Sequence, residues 1–82
     1  MARTADTDEL LRFLVTSLVD DQDNVSIARR SEGDRIAFEI SVNPDDIGKV
    51  IGRQGRIIKS IRTLMRAAGS INGEHIDVDV LG

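Results

Sequence analysis

The sequence predicts an α+β fold in which three helices cover one face of a three-stranded mixed sheet, in the order α-β-β-α-α-β. Three observations predict it. Apolar residues recur at helical spacing near the start of the chain and again after residue 56. They alternate with polar residues in three short stretches. Clusters of Asp, Asn, Gly and Pro separate these segments.

Thr7 to Asp20 reads as the first helix, because Leu11, Leu14, Val15 and Leu18 fall at i, i+3, i+4 and i+7. Asp6 or Thr7 caps its start, with Asp8 and Glu9 near the positive end of the helix dipole. Asp20-Asp21-Gln22-Asp23-Asn24 is a loop. Val25 and Ile27, then Ile36, Phe38, Ile40 and Val42, give two strands joined by a turn at Ser31-Glu32-Gly33-Asp34, an antiparallel hairpin. Asn43-Pro44-Asp45-Asp46 opens a short helix that turns Ile47, Val50 and Ile51 inward and stops at Gly52. A longer helix runs from Arg56 to about Ala68, with Gly69 as its stop. On a helical wheel its apolar residues (Ile57, Ile58, Ile61, Leu64, Met65, Ala68) span about 80° to about 200°, clear of Arg56, Lys59, Arg62 and Arg66. Ser70 to Gly73 is a loop, and Ile76, Val78 and Val80 mark the third strand. A right-handed crossover through two helices makes the second and third strands parallel. Residues 1–6 are expected to form a flexible N-terminal tail and residues 7–82 a single domain. Phe13 and Phe38 both stand at positions that suit a core.

Composition excludes several classes of function. The 82 residues hold no cysteine and one histidine, His75, so thiolate metal sites, cysteine nucleophiles and a histidine triad have nothing to be built from. Asp77 and Asp79 share a strand face without a companion acid or base and read as a solvated sheet face. Asp20, Asp21 and Asp23 lack the spacing of a calcium loop. Gly48-Lys49 lacks the upstream glycine and following Ser/Thr of a phosphate loop. The expectation is therefore no catalytic residue, no metal and no cofactor. Met1 to Asp6 has no signal-peptide core and no apolar run is long enough to cross a bilayer, which gives a cytoplasmic, membrane-free expectation.

The net charge of −3 opposes a nucleic-acid partner, but its distribution does not. Between Ile47 and Gly69 stand six basic residues and no acidic ones, leaving five basic against all fourteen acidic elsewhere. Such a block makes a local field that draws in anions. Inside it, two glycines three apart lie between two short amphipathic helices. They permit a turn too tight for a Cβ, and the turn brings backbone N–H groups and the following helix start close to a phosphate. Arg53 and Gln54 project from its tip, where a guanidinium fork and an amide meet a sugar–phosphate backbone. The bland reading is a tight helix junction with incidental charges.

Val50-Ile51-Gly52-Arg53-Gln54-Gly55-Arg56-Ile57-Ile58 matches the V-I-G-x-x-G-x-x-I core of the KH domain. The element order resembles the type II form of that fold, and the likeness covers residues 7 to 81. Because little lies outside it, the chain resembles the small stand-alone bacterial KH proteins of the KhpA-like family. The resemblance implies that the loop Gly52–Gly55 clamps about four single-stranded nucleotides, with Ile51 and Ile58 lining an apolar groove for the bases. By position and charge, Lys49, Arg56 and Lys59 are expected to contact phosphates. The partner is expected to be single-stranded RNA, with single-stranded DNA as a variant. The chain has no Trp or Tyr, so base stacking on exposed aromatics is not the expected mode. The resemblance further implies a homodimer, or a heteromer with a larger KH-containing RNA-binding protein, in post-transcriptional regulation. The rival reading is a protein-interaction module whose nucleic-acid contact is incidental.

Overall fold

The computed structural model describes residues 5–82. Helix α1 (Thr7–Leu18) is followed by strands β1 (Ser26–Glu32) and β2 (Arg35–Ser41), helices α2 (Ile47–Ile51) and α3 (Arg56–Ile71), and strand β3 (His75–Val80). The strand order is β1-β2-β3, antiparallel between β1 and β2 and parallel between β2 and β3. The predicted order and sheet are therefore the observed ones.

Alternation explains the layering. Ile36, Phe38 and Ile40 of β2 and Ile76 and Val78 of β3 are buried, and their strand neighbours face away. Helices supply Leu11, Val15, Val50, Ile58, Ile61 and Met65 to the same core. Strand β1 is an edge strand, and nearly all of its residues are exposed. The hairpin turn is tighter than predicted: the strands pair through Glu32↔Arg35, leaving only Gly33 and Asp34 between them. Gly33 has φ +63°, the left-handed conformation that two-residue hairpins favour because it matches strand twist.

Several boundaries and placements differ from the sequence reading. Residues 1–4 of the expected tail lie outside the described residues, and Ala5 and Asp6 belong to the domain. The Ala5 N–H donates to Asn72 Oδ1 at 2.8 Å while Asn72 Nδ2 donates to the Ala5 carbonyl at 2.7 Å. Asp6 caps α1, its carboxylate accepting the Glu9 N–H at 3.0 Å. Helix α1 ends at Leu18, because Val19 is extended (φ −97°, ψ 156°). Phe13 is not in the core. It is 65% exposed, since two residues from Leu11 is about 200° around the helix, on the opposite face. Leu64, at the margin of the apolar arc of α3, is half exposed.

Gly69 does not end α3. It is buried inside the helix, and a Cβ placed there would stand 2.7 Å from both Ile76 Cδ1 and Cγ1 and 2.9 Å from the Glu74 carbonyl oxygen. Its role is close packing of α3 on β3. The stop lies at Asn72-Gly73: Gly73 has φ +71°, its N–H donates to the Ser70 carbonyl, and the Glu74 N–H donates to the Gly69 carbonyl. This is a Schellman cap, which satisfies carbonyls the helix end would otherwise leave open.

These two environments give opposite predictions for one kind of substitution. Gly69→Ala overpacks the α3–β3 contact and is expected to cost about 1–3 kcal/mol, lowering the melting temperature by about 4–8 °C per kcal/mol. Gly48→Ala, on α2 with nothing within 4 Å of the added methyl, is expected to raise stability by about 0.4–1 kcal/mol. Thermal melts followed by circular dichroism of the two variants check both signs.

Candidate nucleic-acid interface

The glycine-framed loop is built from three residues with positive φ in four positions. Gly52 (φ 77°, ψ 172°) terminates α2, its N–H donating to the Gly48 carbonyl at 2.8 Å. This backbone region is essentially restricted to glycine. A Cβ at Gly52 would also fall 2.5–2.9 Å from side-chain carbons of Ile57. Gln54 (φ 57°, ψ 24°) and Gly55 (φ 72°, ψ 18°) follow in the left-handed region, and Gln54 is the one non-glycine residue with positive φ among the described residues. The loop closes on itself: the Gly55 N–H donates to the Gly52 carbonyl at 3.1 Å and the Arg56 N–H to the Arg53 carbonyl. Those two N–H groups are thus satisfied internally, and the side chains at the tip become the outward-facing groups.

Arg53, Gln54, Arg56 and Lys59 are exposed, as the sequence predicts. Arg56 Nη2 donates to Gln54 Oε1 at 3.4 Å, a long bond that turns the Gln54 carbonyl toward the helix. Arg53, Arg56, Lys59 and Arg66 make no ion pair among the described residues, so their charge is available. The structure separates the other two cations of the block from them. Arg62 donates from Nε to the Val78 carbonyl at 2.9 Å and lies 3.5 Å from Asp79 Oδ1, covering part of the β3 edge. Lys49 Nζ lies 2.8 Å from Asp20 Oδ2 and 2.9 Å from Asp46 Oδ1.

Lys49, expected at a phosphate, is thus already held by two carboxylates. The partners are part of a larger network. Asp46 is buried, and its second oxygen accepts the Asp21 N–H at 3.0 Å. Asp21 accepts from the side chains of Asn43 and Asn24. The hydrogen bond from Lys49, followed by the Asp21 N–H, holds the Asp46 carboxyl below its usual range. The Asn43 and then the Asn24 amides do the same for Asp21. Asp20 first and Asp46 second raise the Lys49 ammonium above its ordinary value.

The apolar candidates also divide. Ile51 is half buried at the end of α2 and remains available to line a groove, whereas Ile58 is 5% exposed and belongs to the core. Ile57, half buried against Gly52, replaces it at the surface beside the loop. Helical spacing alone places Ile57 in the apolar arc with Ile58. The signal that distinguishes it is its position two residues after Gly55, facing the glycine it packs on. The β3 end of the sheet comes close as well, since a Cβ at Gly82 would lie 2.7 Å from Ile47 Cδ1 on α2. A cleft of about 470 Å³ elsewhere on the molecule is lined by Arg35, Arg66, Glu74 and Asp77, whose charges cancel. No helix of the described residues is long and apolar enough to cross a membrane.

Comparison with known proteins follows this geometry. A family model described as KhpA/KhpB, KH domain, matches residues 8–80. Among curated relatives, a protein of Clostridium acetobutylicum is 40% identical over 73 residues, covering 89% of this chain and 97% of the relative. One of Streptomyces coelicolor is 40% identical over 74 residues, covering 90% of each. One of Oceanobacillus iheyensis is 38% identical over 72 residues, covering 88% of this chain and 96% of the relative. Each of the three bears the name RNA-binding protein KhpA.

Two predictions test the loop and its support. Gly52→Ala meets both a forbidden backbone region and the Ile57 side chain, whereas Gly55→Ala meets only an ordinary 3.9 Å contact with Ile58. The first is expected to cost at least about 2–3 kcal/mol and the second about 1 kcal/mol, read as separate midpoints in urea denaturation. The second prediction concerns pH. Asp46 and Asp21 have folded pKa values below the ordinary 3.8, so their stabilisation is complete above that value and fades as pH falls through the folded ones. Melting temperature is expected to fall on acidification below about pH 4, and Asp46→Asn to start lower and show a shallower fall.

Proposed function

The chain belongs to the KhpA/KhpB KH-domain family, and from that premise we propose that it binds single-stranded RNA at the Gly52–Gly55 loop. The observation that carries this reading is the coincidence of a loop held in glycine-dependent geometry with exposed, unpaired cations at its tip and on the helix behind it. Arg53 and Gln54 meet the sugar–phosphate backbone, and Arg56 and Lys59 extend the positive track along α3. Ile51 and Ile57 offer apolar surface to the bases. Phosphate contacts of this kind position the strand but carry little base information, so discrimination is modest and affinity strongly salt-dependent. The module acts by binding and catalyses no reaction. The names of the relatives support RNA as the ligand, and the role we propose for it is cytoplasmic, in post-transcriptional regulation.

A second reading is favoured by a specific observation. Phe13 on α1 and Ile71 on α3 are each 65% exposed and Leu64 on α3 is 50% exposed, large apolar side chains on the helical layer that a partner surface would cover. A second copy of the chain, or a larger KH-containing RNA-binding protein of the kind the family name suggests, covers part of it. Two linked clamps then raise the effective affinity of a weak single site.

Fluorescence anisotropy of labelled single-stranded RNA tests the first reading. Arg53→Asp with Gln54→Asp is expected to weaken binding by more than about tenfold, since it replaces a phosphate-pairing cation with an anion. The wild-type affinity is expected to fall steeply between low and moderate salt. Matched DNA oligomers measure the preference for RNA. Light scattering with and without RNA tests the second reading: a stable dimer indifferent to RNA, with unchanged anisotropy in the loop variant, would favour an interaction module.

A further inference from the structure

We propose that Lys49, Asp46 and Asp20 form a clasp that positions the RNA-binding loop, and that Lys49 acts through this clasp and does not touch phosphate. The inference rests on the reading of the loop as an RNA clamp, and it reassigns the one cation of the basic block that sits on α2. The geometry is specific. Helix α2 has five residues, too few to hold its own axis by backbone hydrogen bonds alone. Its start follows a 3-10 turn at Pro44–Asp46, and its end is the loop. Between these, Lys49 reaches back to Asp46 at 2.9 Å and across to Asp20, in the segment after α1, at 2.8 Å. Asp46 in turn binds the Asp21 backbone N–H at 3.0 Å, so this buried carboxylate ties the α2 entry to the α1–β1 connection once directly and once through Lys49.

The arrangement has charge consequences. Two carboxylates facing one ammonium leave a local net charge of −1, which does not attract a phosphate. A buried carboxylate without its partner is strongly unfavourable, so Asp46 holds Lys49 in place. Lys49 is three residues before Gly52, and Gly52 in turn donates to the carbonyl of Gly48, its neighbour. Release of the clasp therefore loosens the turn of α2 that carries the first glycine.

The two roles for Lys49 predict opposite results. If Lys49 contacts phosphate, Asp20→Asn frees it and tightens RNA binding, and Lys49→Met lowers the slope of log affinity against log salt by about 0.7. If Lys49 is a positioning residue, Asp20→Asn weakens binding about two- to fivefold even though it removes a negative charge. Lys49→Met and Asp46→Asn then weaken it roughly tenfold without changing the salt slope, and their double variant is no worse than either alone, as expected within one network. Asp23→Asn, an exposed acid of the same loop outside the clasp, is the charge control and should tighten binding slightly or leave it unchanged.

Asp20 is largely exposed, with its side chain 85% accessible, so its variant should fold even if Asp46→Asn does not. Amide resonances of Gly52, Gln54 and Gly55 in the RNA-free protein give a separate readout. They are expected to shift or broaden in Lys49→Met and Asp20→Asn but not in Asp23→Asn. Unmoved loop amides, or tighter RNA binding by Asp20→Asn, would overturn the clasp. Loop amides that shift in the two clasp variants, alongside a wild-type protein that binds no RNA, would support the clasp and overturn the RNA reading instead.

Discussion

Helix α3 is fixed at both ends by glycines that leave no room for a methyl group, and the placement of Arg56 and Lys59 follows from that. At its C-terminal end Gly69 lies against Ile76, which sets the height of the helix above the sheet. At its N-terminal end Gly52 lies against Ile57, which sets the entry of α2. Between these two contacts Ile58, Ile61 and Met65 are buried, so the helix cannot rotate without exposing core surface. Arg56 and Lys59 are thereby presented beside the loop as a consequence of packing, because 3.6 residues per turn puts them on the face away from those three.

Charge follows the same division between structure and surface. Of the six cations between Ile47 and Gly69, Lys49 and Arg62 are paired, one with Asp20 and Asp46 and one along the β3 edge. Arg53, Arg56 and Lys59 carry the field beside the loop, while Arg66 lines the charge-balanced cleft. A stretch of chain that reads as uniformly basic is thus two populations, and only the unpaired one concentrates anions. The acidic remainder of the chain sharpens this contrast, because Asp20 and Asp46 remove a charge that would otherwise have widened the positive patch.

Most of the fold was legible because it rests on periodicity. The alternation in β2 and β3 and the helical spacing of Leu11, Val15, Ile58, Ile61 and Met65 are one-dimensional signals, and the motif around Gly52 and Gly55 sits where the pattern changes from one to the other. What periodicity does not reach are residues whose surroundings depend on what packs against them from elsewhere in the chain. Gly69 has the composition of a helix stop, and only the proximity of Ile76 makes it an interior residue. Phe13 is the wrong way round its helix, although its apolarity alone suggests burial. Lys49 looks like its basic neighbours until Asp20, twenty-nine residues away, is brought to it. Only its i,i+3 spacing from Asp46 hinted at a local partner. Ile57 and Ile58 are adjacent and chemically identical, so their division between surface and core needs the helix to be in place.

The clamp proposed for this loop makes few contacts, so its affinity would depend on how little ordering remains to be done on binding. The loop meets that requirement in advance. Gln54 is held in the left-handed region, a conformation that costs a non-glycine residue about 1 kcal/mol or more and persists because the Gly55 and Arg56 N–H bonds close the turn around it. That strain is carried by the folded protein before any ligand arrives. Folding thus fixes the backbone on both sides of Arg53 and Gln54, while their side chains stay exposed and free to adapt. A fixed frame with exposed polar tips suits a ligand whose phosphates repeat at regular spacing, because the repeating part then meets groups already in place.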